Sequence, residues 1–289
     1  HDLPRMKMFN DSWSEARGLP FFSTDGGKTW RNISFGVPGN APYTHILLDP
    51  ESPVDSRTLY TCAFGVGVYK STRGGSGWTE ASSGLGENRS VWRLTRREDG
   101  TLFVVVVGNG TERQVIPGGL YRSDDGAESW QQVALPDGVC RPNDLAIDPA
   151  DPQTMYLSCW PWTDRSSELR VERNGGLYRT TDGGETWEQV FYEGAHVYAA
   201  AIDPAKPSNV VINTFDSAAF RSTDRGETWR KLGGYNFKWG HRPILDPHHA
   251  GMIYLTTFGG SVFYGPVTGL PGALEDIEDG SFLRWADLR

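Results

Sequence analysis

One polar, glycine-rich segment that ends in tryptophan occurs five times along the chain. It reads STDGGKTW at 23–30, STRGGSGW at 71–78, SDDGAESW at 123–130, TTDGGETW at 180–187 and STDRGETW at 222–229. The copies are roughly 40 to 60 residues apart, which is typical of propeller blades and not of short helical repeats. Glycine permits the positive φ of a tight hairpin turn, and the aspartate can accept backbone N–H groups there. We expect a structural role for these segments, which we name boxes 1 to 5 in chain order.

Short apolar segments that fit β-strands surround the boxes in a fixed order. Between residues 143 and 190 the order is NDLAIDP, TMYLSCW, GLYRT and TWEQV, with the turn of box 4 between the last two. The same order recurs from about residues 44, 91, 198 and 241. These segments predict four-stranded antiparallel sheets in which the box is the hairpin between strands three and four. The box tryptophan then begins strand four, where its ring can fill the gap between neighbouring blades.

Sheets repeated in this way predict an all-β fold, a β-propeller of four-stranded antiparallel blades. About six blades are visible, the first only in part, and an intact protein could have seven. We expect a single propeller domain over 1–289, with a partial blade 1 at 1–35 and blades 2 to 6 at about 42–289. The chain starts within a repeat, which favours the C-terminal part of a longer chain. Blade 6 has no box, and a final candidate strand, FLRWADL, follows at 282–288.

Composition and charge narrow the class of partner. The chain has 28 Lys and Arg against 36 Asp and Glu, and this net charge of −8 argues against nucleic acid, whose binders present a basic face. No apolar run reaches the roughly eighteen residues of a spanning helix, so membrane insertion is not expected. Three cysteines exclude a disulfide scaffold, and Cys140 and Cys159 could either pair or remain buried thiols. Four Asn-x-Ser/Thr triplets permit a secreted or extracytoplasmic location.

The repeat resembles a known family. The pattern S/T-x-D-G-G-x-T-W, preceded by G-L/V-Y-R/K and by I/L-D-P ahead of strand two, is similar to the Asp-box (BNR) repeat. That family includes sialidases, xyloglucanase-type glycoside hydrolases, sortilin-type receptors and photosystem-assembly propellers. The resemblance covers nearly the whole chain and implies a propeller, but the family uses the box as scaffold in all of these roles. The arginine motif of sialidases and the Asp-Ile-Gly-Gly motif of xyloglucanases are both missing here.

Ligands of propellers usually bind at the mouth, where each first strand begins, and this analogy selects the positions to inspect. Basic, amide and aromatic residues are concentrated in those windows and in a long loop at 159–176. Arginine can bind a carboxylate with two parallel hydrogen bonds, and aromatic faces can stack on sugar rings. The simpler alternative is that these are polar strand ends facing water. The substrate-binding candidates are His45, Trp92, Arg93, Arg141, Asn143, Trp160, Trp162, His196, Tyr198, Trp239, His241 and Arg242.

The leading functional prediction is a secreted, carbohydrate-active propeller that hydrolyses a polysaccharide with a pair of carboxylates. Glycoside hydrolysis normally needs two carboxyl groups, and the mouth candidates are Asp11, Asp144 and Asp216. Neither a cofactor nor a metal is expected, and the expected partner is a polysaccharide or glycan, with another chain or segment able to complete the propeller. One alternative is a non-catalytic propeller that binds a glycan or a protein, as sortilin-like domains do. Another is a polysaccharide lyase that uses His, Tyr and Arg side chains of the mouth.

Overall fold

The structure is a computed structural model that describes residues 19–111, 114–164, 171–215, 218–235, 237, 239–258, 261–270 and 283–284. Among these residues the one helical segment is a short 3-10 turn at Val54–Ser56. The first strands in chain order are β1 (Phe21–Phe22), β2 (Arg31–Asn32), β3 (Tyr43–Leu48), β4 (Leu59–Ala63), β5 (Gly67–Ser71), β6 (Thr79–Glu80), β7 (Val91–Arg96), β8 (Leu102–Val106), β9 (Asn109–Thr111), β10 (Gln114–Ile116), β11 (Gly119–Ser123) and β12 (Gln131–Val133). The strands that follow are β13 (Pro142–Ile147), β14 (Met155–Cys159), β15 (Trp162–Asp164), β16 (Val171–Arg173), β17 (Gly176–Thr180), β18 (Glu188–Phe191), β19 (Val197–Ile202), β20 (Val210–Thr214), β21 (Ala219–Ser222), β22 (Thr228–Lys231), β23 (Gly240–Leu245), β24 (Met252–Thr257), β25 (Val262–Pro266) and β26 (Leu283–Arg284).

The chain divides into two compact units. The first comprises His1–Gly108 and Leu120–Gln132, and the second comprises Asn109–Gly119 and Val133–Arg289. In the first unit, blade 2 has the strand order β3-β4-β5-β6, blade 3 has the order β12-β11-β8-β7, and β1 pairs with β2 as the end of blade 1. In the second unit, blade 4 is β13-β14-β17-β18, blade 5 is β19-β20-β21-β22-β26 and blade 6 is β23-β24-β25. The pairings are antiparallel throughout the described sheets, and the predicted all-β propeller fold of four-stranded blades is confirmed.

Three details differ from the sequence prediction. The strand within FLRWADL does not complete blade 6, because Leu283 pairs with Trp229 and Arg284 with Thr228 at the outer edge of blade 5. The long insertion in blade 4 contains the hairpin β15–β16, and a second unpredicted hairpin, β9–β10, follows β8. Both hairpins are only three residues deep, which is why their alternation is too short to stand out in the sequence.

Box tryptophans join consecutive blades. The indole Nε1 of Trp78 donates to Ile33 O at 2.6 Å, that of Trp130 to Ala81 O at 2.8 Å and that of Trp229 to Val190 O at 2.7 Å. All three acceptors belong to the preceding blade, and all three rings are buried. A buried indole N–H usually has an acceptor, and here each ring both fills the gap between blades and bonds to the preceding blade. In box 1, Trp30 donates within its own turn and is 62% exposed.

The box aspartate organises its own hairpin turn. In box 5 the Ser222 hydroxyl donates to Asp224 Oδ1, and the Thr228 N–H and hydroxyl donate to the two carboxylate oxygens. Boxes 1, 3 and 4 repeat this pattern. The hydrogen bonds from Ser129 lower the pKa of Asp125 from its usual 3.8 to about 2. These contacts favour a structural role for the box, as expected from the sequence.

A polar contact also links each of two blades to the box that follows it. In the first unit Lys70 Nζ lies 2.9 Å from Glu128 of box 3, and Tyr60 donates to Gly126 O at 3.4 Å. The second unit repeats the arrangement between blade 4 and box 5. There Arg179 Nη2 lies 2.6 Å from Glu227, and Tyr156 donates to a box carbonyl at 3.0 Å. The glutamate of the D-G-G-E-T-W pattern therefore contacts the preceding blade, a role that the sequence analysis did not identify.

Candidate functional site

All five first strands that the structure describes carry a bulge at the end where they begin. The pairing register shifts between Tyr43 and His45, Val91 and Arg93, Pro142 and Asp144, Val197 and Ala199, and Gly240 and Pro243. A bulge inserts an unpaired residue and turns its side chain away from the regular alternation, which is why bulges are common beside binding sites. The skipped positions are Thr44, Trp92, Asn143, Tyr198, His241 and Arg242, five of which are sequence-predicted site residues.

At two of these bulges the skipped side chain bonds to the bulge of the next blade. Thr44 Oγ1 donates to Trp92 O at 2.8 Å, and Asn143 Nδ2 donates to Tyr198 O at 2.8 Å. The first strands of neighbouring blades lie side by side, with β3 beside β7, β13 beside β19 and β19 beside β23. The amide of Asn143 therefore holds two strands together, and this accounts for its position without a ligand.

The first unit contributes a half-buried group at the start of β3 and β7. His45 Nδ1 lies 3.4 Å from the backbone N–H of Leu94, and Trp92 packs edge-on against Phe64 with ring centroids 6.0 Å apart. Burial, together with the neighbouring Arg93, lowers the pKa of His45 from 6.5 to about 4. The imidazole is therefore neutral near pH 7, and in this unit the positive charge beside it is carried by Arg93.

In the second unit the predicted aromatic residues come together in one cluster. The Trp160 ring lies 5.3 Å from His196, 5.7 Å from Tyr198 and 5.1 Å from Phe215 between centroids. Tyr198 in turn lies 4.8 Å from His241 and 5.0 Å from Phe258. Most of these contacts are edge-to-face, the favoured arrangement of aromatic pairs, so the rings support one another. We name this set the aromatic cluster, and its members are Trp160, His196, Tyr198, Phe215, His241 and Phe258.

An ion pair lies at the same strand entrances. Arg242 Nη2 is 3.0 Å from Asp144 Oδ2, and the side chains are 24% and 3% exposed. Asp144 stands on β13 of blade 4 and Arg242 on β23 of blade 6, so the pair joins blades that are not consecutive. The Arg242 backbone N–H also donates to Thr256 Oγ1 at 2.9 Å. A buried carboxylate needs such a partner, because an unpaired buried charge is strongly destabilising.

Trp239 stands at the entrance of blade 6 in an unusual conformation. Its φ is +60°, and its side chain is 40% exposed. The backbone is fixed on both sides, since its N–H donates to Phe215 O at 2.6 Å and its carbonyl accepts from Phe258 N–H at 2.9 Å. The following Gly240 cannot carry a side chain, because a Cβ would lie 2.6 Å from Thr214 O. A bulky residue with positive φ is rare, and such outliers concentrate at functional sites.

The remaining predicted residues fall into two groups. Arg141 lies over the Trp162 ring, with Cζ 5.1 Å from the centroid, an attractive cation–π distance. Asp11 and Asp216 lie outside the described residues, so of the three predicted catalytic carboxylates the structure places Asp144 alone.

Two aromatic residues of the cluster, Phe215 and Phe258, were not predicted from the sequence. Equivalent positions just after the second strands are occupied by Phe64, Trp160, Phe215 and Phe258. That recurring aromatic residue is a signal that the sequence carries.

Other candidate chemistry finds little support in the described part of the chain. Cys62, Cys140 and Cys159 are free thiols, and burial raises the pKa of Cys62 and Cys159. Within the described residues no group of three or more His, Cys, Asp or Glu side chains is arranged to hold a metal ion. The same residues include no helix of the length and apolar character needed to cross a membrane.

The fold and these contacts define a class, a propeller with Asp-box hairpins and a cluster of aromatic and paired charged residues at its strand entrances. The family model described as BNR/Asp-box repeat matches residues 21–32, 178–189 and 220–231. The chain therefore carries BNR/Asp-box repeats, as the sequence resemblance implied.

Comparison with known proteins adds one curated relative and two structural neighbours. The chain is 26% identical over 240 residues to a xyloglucanase of Hypocrea jecorina (strain QM6a), covering 73% of this chain and 28% of the relative. An ancestral GH74 enzyme matches with a TM-score of 0.60 and 19% identity over 80% of this chain and 30% of its own. YCF48 bound to a D1 peptide matches with a TM-score of 0.59 and 13% identity over 84% of this chain and 71% of its own. At these identities the two structures show the fold alone, and the chain spans less than a third of the xyloglucanase.

Proposed function

We propose that this chain is part of a carbohydrate-active propeller that works outside the cytoplasm and binds a polysaccharide at the first-strand entrances of blades 4 to 6. The observation that carries the proposal is that the aromatic cluster and the Asp144–Arg242 pair both lie at the first-strand entrances of the second unit. Sites for neutral ligands are mostly apolar and aromatic, with a few fixed polar groups. The similarity to a xyloglucanase supports the same class of ligand.

The solvent exposure of each residue indicates its role in the proposed binding site. Trp239 and Phe258 are about two-fifths exposed and can offer ring faces to the apolar faces of sugar units. Tyr198 is buried within the cluster and supports its neighbours. Arg242 and His241 are half-buried and can donate hydrogen bonds to sugar oxygens.

For hydrolysis, Asp11 and Asp216 remain candidate carboxylates from the sequence, and both lie outside the residues that the structure describes. Asp144 is engaged by Arg242 and nearly buried, which suits a residue that positions a guanidinium better than one that exchanges protons with a substrate. A pair about 5 to 5.5 Å apart would retain the anomeric configuration, and a pair about 6.5 to 9.5 Å apart would invert it. The stereochemistry of the first product therefore reports the separation of whichever two carboxyl groups are catalytic.

The test is turnover of xyloglucan and mixed-linkage β-glucan, followed as new reducing ends. We expect Asp11→Asn and Asp216→Asn each to lower the rate at least 100-fold, since each removes one of the two required groups. Asp55→Asn, an exposed aspartate in the 3-10 turn, is the matched control and should retain full activity. Unchanged turnover in both site variants would rule out this assignment of the carboxylates.

A second candidate is a propeller that binds a glycan or a protein without turnover. It is favoured by the match to YCF48 bound to a D1 peptide, of which this chain spans 71%, and by the engagement of Asp144 in an ion pair. Saturable binding of polysaccharide or peptide with no reducing ends would support it. Unsaturated sugar products would instead assign a lyase, with His196, Tyr198 and His241 as the candidate proton-transfer groups.

A further inference from the structure

We propose that Arg242, oriented by Asp144, recognises the carboxylate of an acidic sugar residue within an otherwise neutral polysaccharide. This inference rests on the proposed function, because it names the kind of polysaccharide that the same site takes. It begins with the guanidinium, which carries five donor N–H groups in a fixed planar fork. The contact with Asp144 is through one nitrogen, Nη2, at 3.0 Å.

Within the described residues the hydrogen-bond contact of the Arg242 guanidinium is the one to Asp144. Among the residues that the structure describes, no second acceptor lies within hydrogen-bond distance of this guanidinium, and the side chain is 24% exposed. A planar guanidinium that is held by Asp144 at Nη2 keeps its orientation and directs its other N–H groups outward from that contact. Two parallel hydrogen bonds from such an edge match the two oxygens of a carboxylate, and this is the strongest pairing that arginine makes.

The surroundings indicate that the acidic group belongs to a sugar. His241 precedes Arg242 at the same bulge, and its ring lies 4.8 Å from both Tyr198 and Phe258. Phe258 and Trp239 are joined by a backbone hydrogen bond, and both rings are partly exposed. A carboxylate bound at Arg242 would lie at the same strand entrance as these rings, which can pack against the sugar that carries it.

The net charge of the whole chain favours a sparsely charged polysaccharide over a polyanion as the ligand. A net charge of −8 repels a polyuronate at long range and slows its association, whereas an isolated acidic residue feels little of that repulsion. Arg242 is also partly neutralised by Asp144, so it can favour one carboxylate by geometry without attracting many. The polymer expected at this site is neutral along most of its length, with occasional uronic acid units.

The probe is xyloglucan in which about a tenth of the sugar units have been oxidised at C6 to uronates, compared with the untreated polymer. Affinity gel electrophoresis of the full chain gives both dissociation constants under one condition. We expect the oxidised polymer to bind about tenfold more tightly at low salt, which corresponds to one charge-assisted contact. Polygalacturonate should bind more weakly than the sparsely oxidised polymer.

Variants separate recognition from scaffolding. Arg242→Gln should abolish the preference by weakening binding of the oxidised polymer about tenfold more than binding of untreated xyloglucan. Arg242→Lys should keep a small preference because it retains charge without the fork. Asp144→Asn should reduce the preference as a positioning residue would, whereas structural damage would lower binding of both polymers alike. Arg230→Gln, on an exposed strand position of blade 5, is the matched control.

Two results would overturn the inference. Equal binding of the two polymers by the unmodified chain would remove its basis while leaving the proposed polysaccharide site intact. An equal loss of both affinities in Arg242→Gln and Arg242→Lys would mark the arginine as structural. Failure of the unmodified chain to bind either polymer would instead remove the proposed function together with this inference.

Discussion

The box hairpins and the first-strand entrances of the same blades are built in opposite ways. In boxes 1, 3, 4 and 5 the same side chains make the same hydrogen bonds, and the aspartate, its two hydroxyl partners and the turn glycine recur. At the entrances the backbone repeats, since each first strand has its bulge, but the skipped side chain differs from blade to blade.

This difference separates scaffold from site. A turn held by side chains tolerates little change in them, because each replacement removes several hydrogen bonds at once. A bulge is held by backbone pairing, so its side chain is released for other contacts. The entrances can therefore accommodate threonine, tryptophan, asparagine, tyrosine or a His-Arg pair on one backbone design.

Of the changes that test the scaffold role of the boxes, removal of a buried box tryptophan should have the largest effect. Trp229→Ala should lower the free energy of unfolding by about 3 to 5 kcal/mol, because it leaves a cavity between blades 4 and 5 and removes the donor for Val190 O. Trp30→Ala is the control, since that ring is mostly exposed, and it should cost less than about 1 kcal/mol. Urea unfolding followed by circular dichroism measures both, and equal losses would contradict the packing role.

The next largest effect is the pH dependence of stability that is due to His45 at the start of β3. His45 takes up a proton near pH 6.5 in the unfolded chain but near pH 4 in the folded one. The folded state binds fewer protons between these values, so stability is greatest above pH 6.5 and falls as the pH drops towards 4. The loss between pH 7 and 4.5 should be about 2 to 3 kcal/mol.

Urea unfolding at the two pH values, with His45→Gln beside the unmodified chain, isolates this contribution. The variant should show a shallower pH dependence, while His248→Gln, at an exposed turn position, should behave like the unmodified chain. If His45→Gln and the unmodified chain lose stability equally on acidification, the buried neutral imidazole is not the cause.

Removal of a box aspartate should have a smaller effect. Asp224→Ala loses the bonds from the Ser222 hydroxyl and from the Thr228 N–H and hydroxyl, and should cost about 1 to 3 kcal/mol. Box 2 supplies a natural control, because Arg73 stands at this position while the Gly75 N–H still donates to the Ser71 hydroxyl, as the Gly226 N–H does to Ser222 in box 5. Arg73→Ala should change thermal unfolding by less than about 0.5 kcal/mol. A similar cost in both boxes would mean that the aspartate is not the organising group.

The smallest effect is expected at a bulge. Thr44→Val removes one side-chain hydrogen bond to Trp92 O while the backbone pairing of the bulge remains, so the cost should be about 1 kcal/mol. Thr24→Val, an exposed box threonine, is the matched control. Thermal denaturation at pH 7 distinguishes the two, and a loss as large as that of Asp224→Ala would show that the bulges also depend on their side chains.

The sequence predicted the fold because the signals that specify it are local. Glycine and aspartate at fixed offsets identify the hairpin turn, and short apolar segments identify its strands. The same reasoning failed where pairing joins distant segments. Leu283 and Arg284 extend blade 5 instead of blade 6, and nothing in their immediate sequence distinguishes the two edges.

The entrance windows could be located from the sequence, but their contacts could not. A bulge adds one residue to a strand without a mark in the sequence and shifts the alternation of side chains. The face of the sheet on which Asn143 or Tyr198 lies therefore cannot be predicted from alternation. Asp144 and Arg242 are 98 positions apart and belong to different blades, and their pairing follows only from three-dimensional structure. The catalytic role of Asp11 and Asp216 stays a prediction, because both lie outside the described residues.

The tryptophan hydrogen bonds between blades run from a later donor to an earlier acceptor in the sequence. The acceptors for Trp78, Trp130 and Trp229 all precede their donors, at Ile33, Ala81 and Val190. During synthesis on the ribosome, each acceptor leaves the exit tunnel before its tryptophan does. A newly made box can therefore close on a blade that has already emerged, and folding can follow translation from the N-terminus without waiting for later segments.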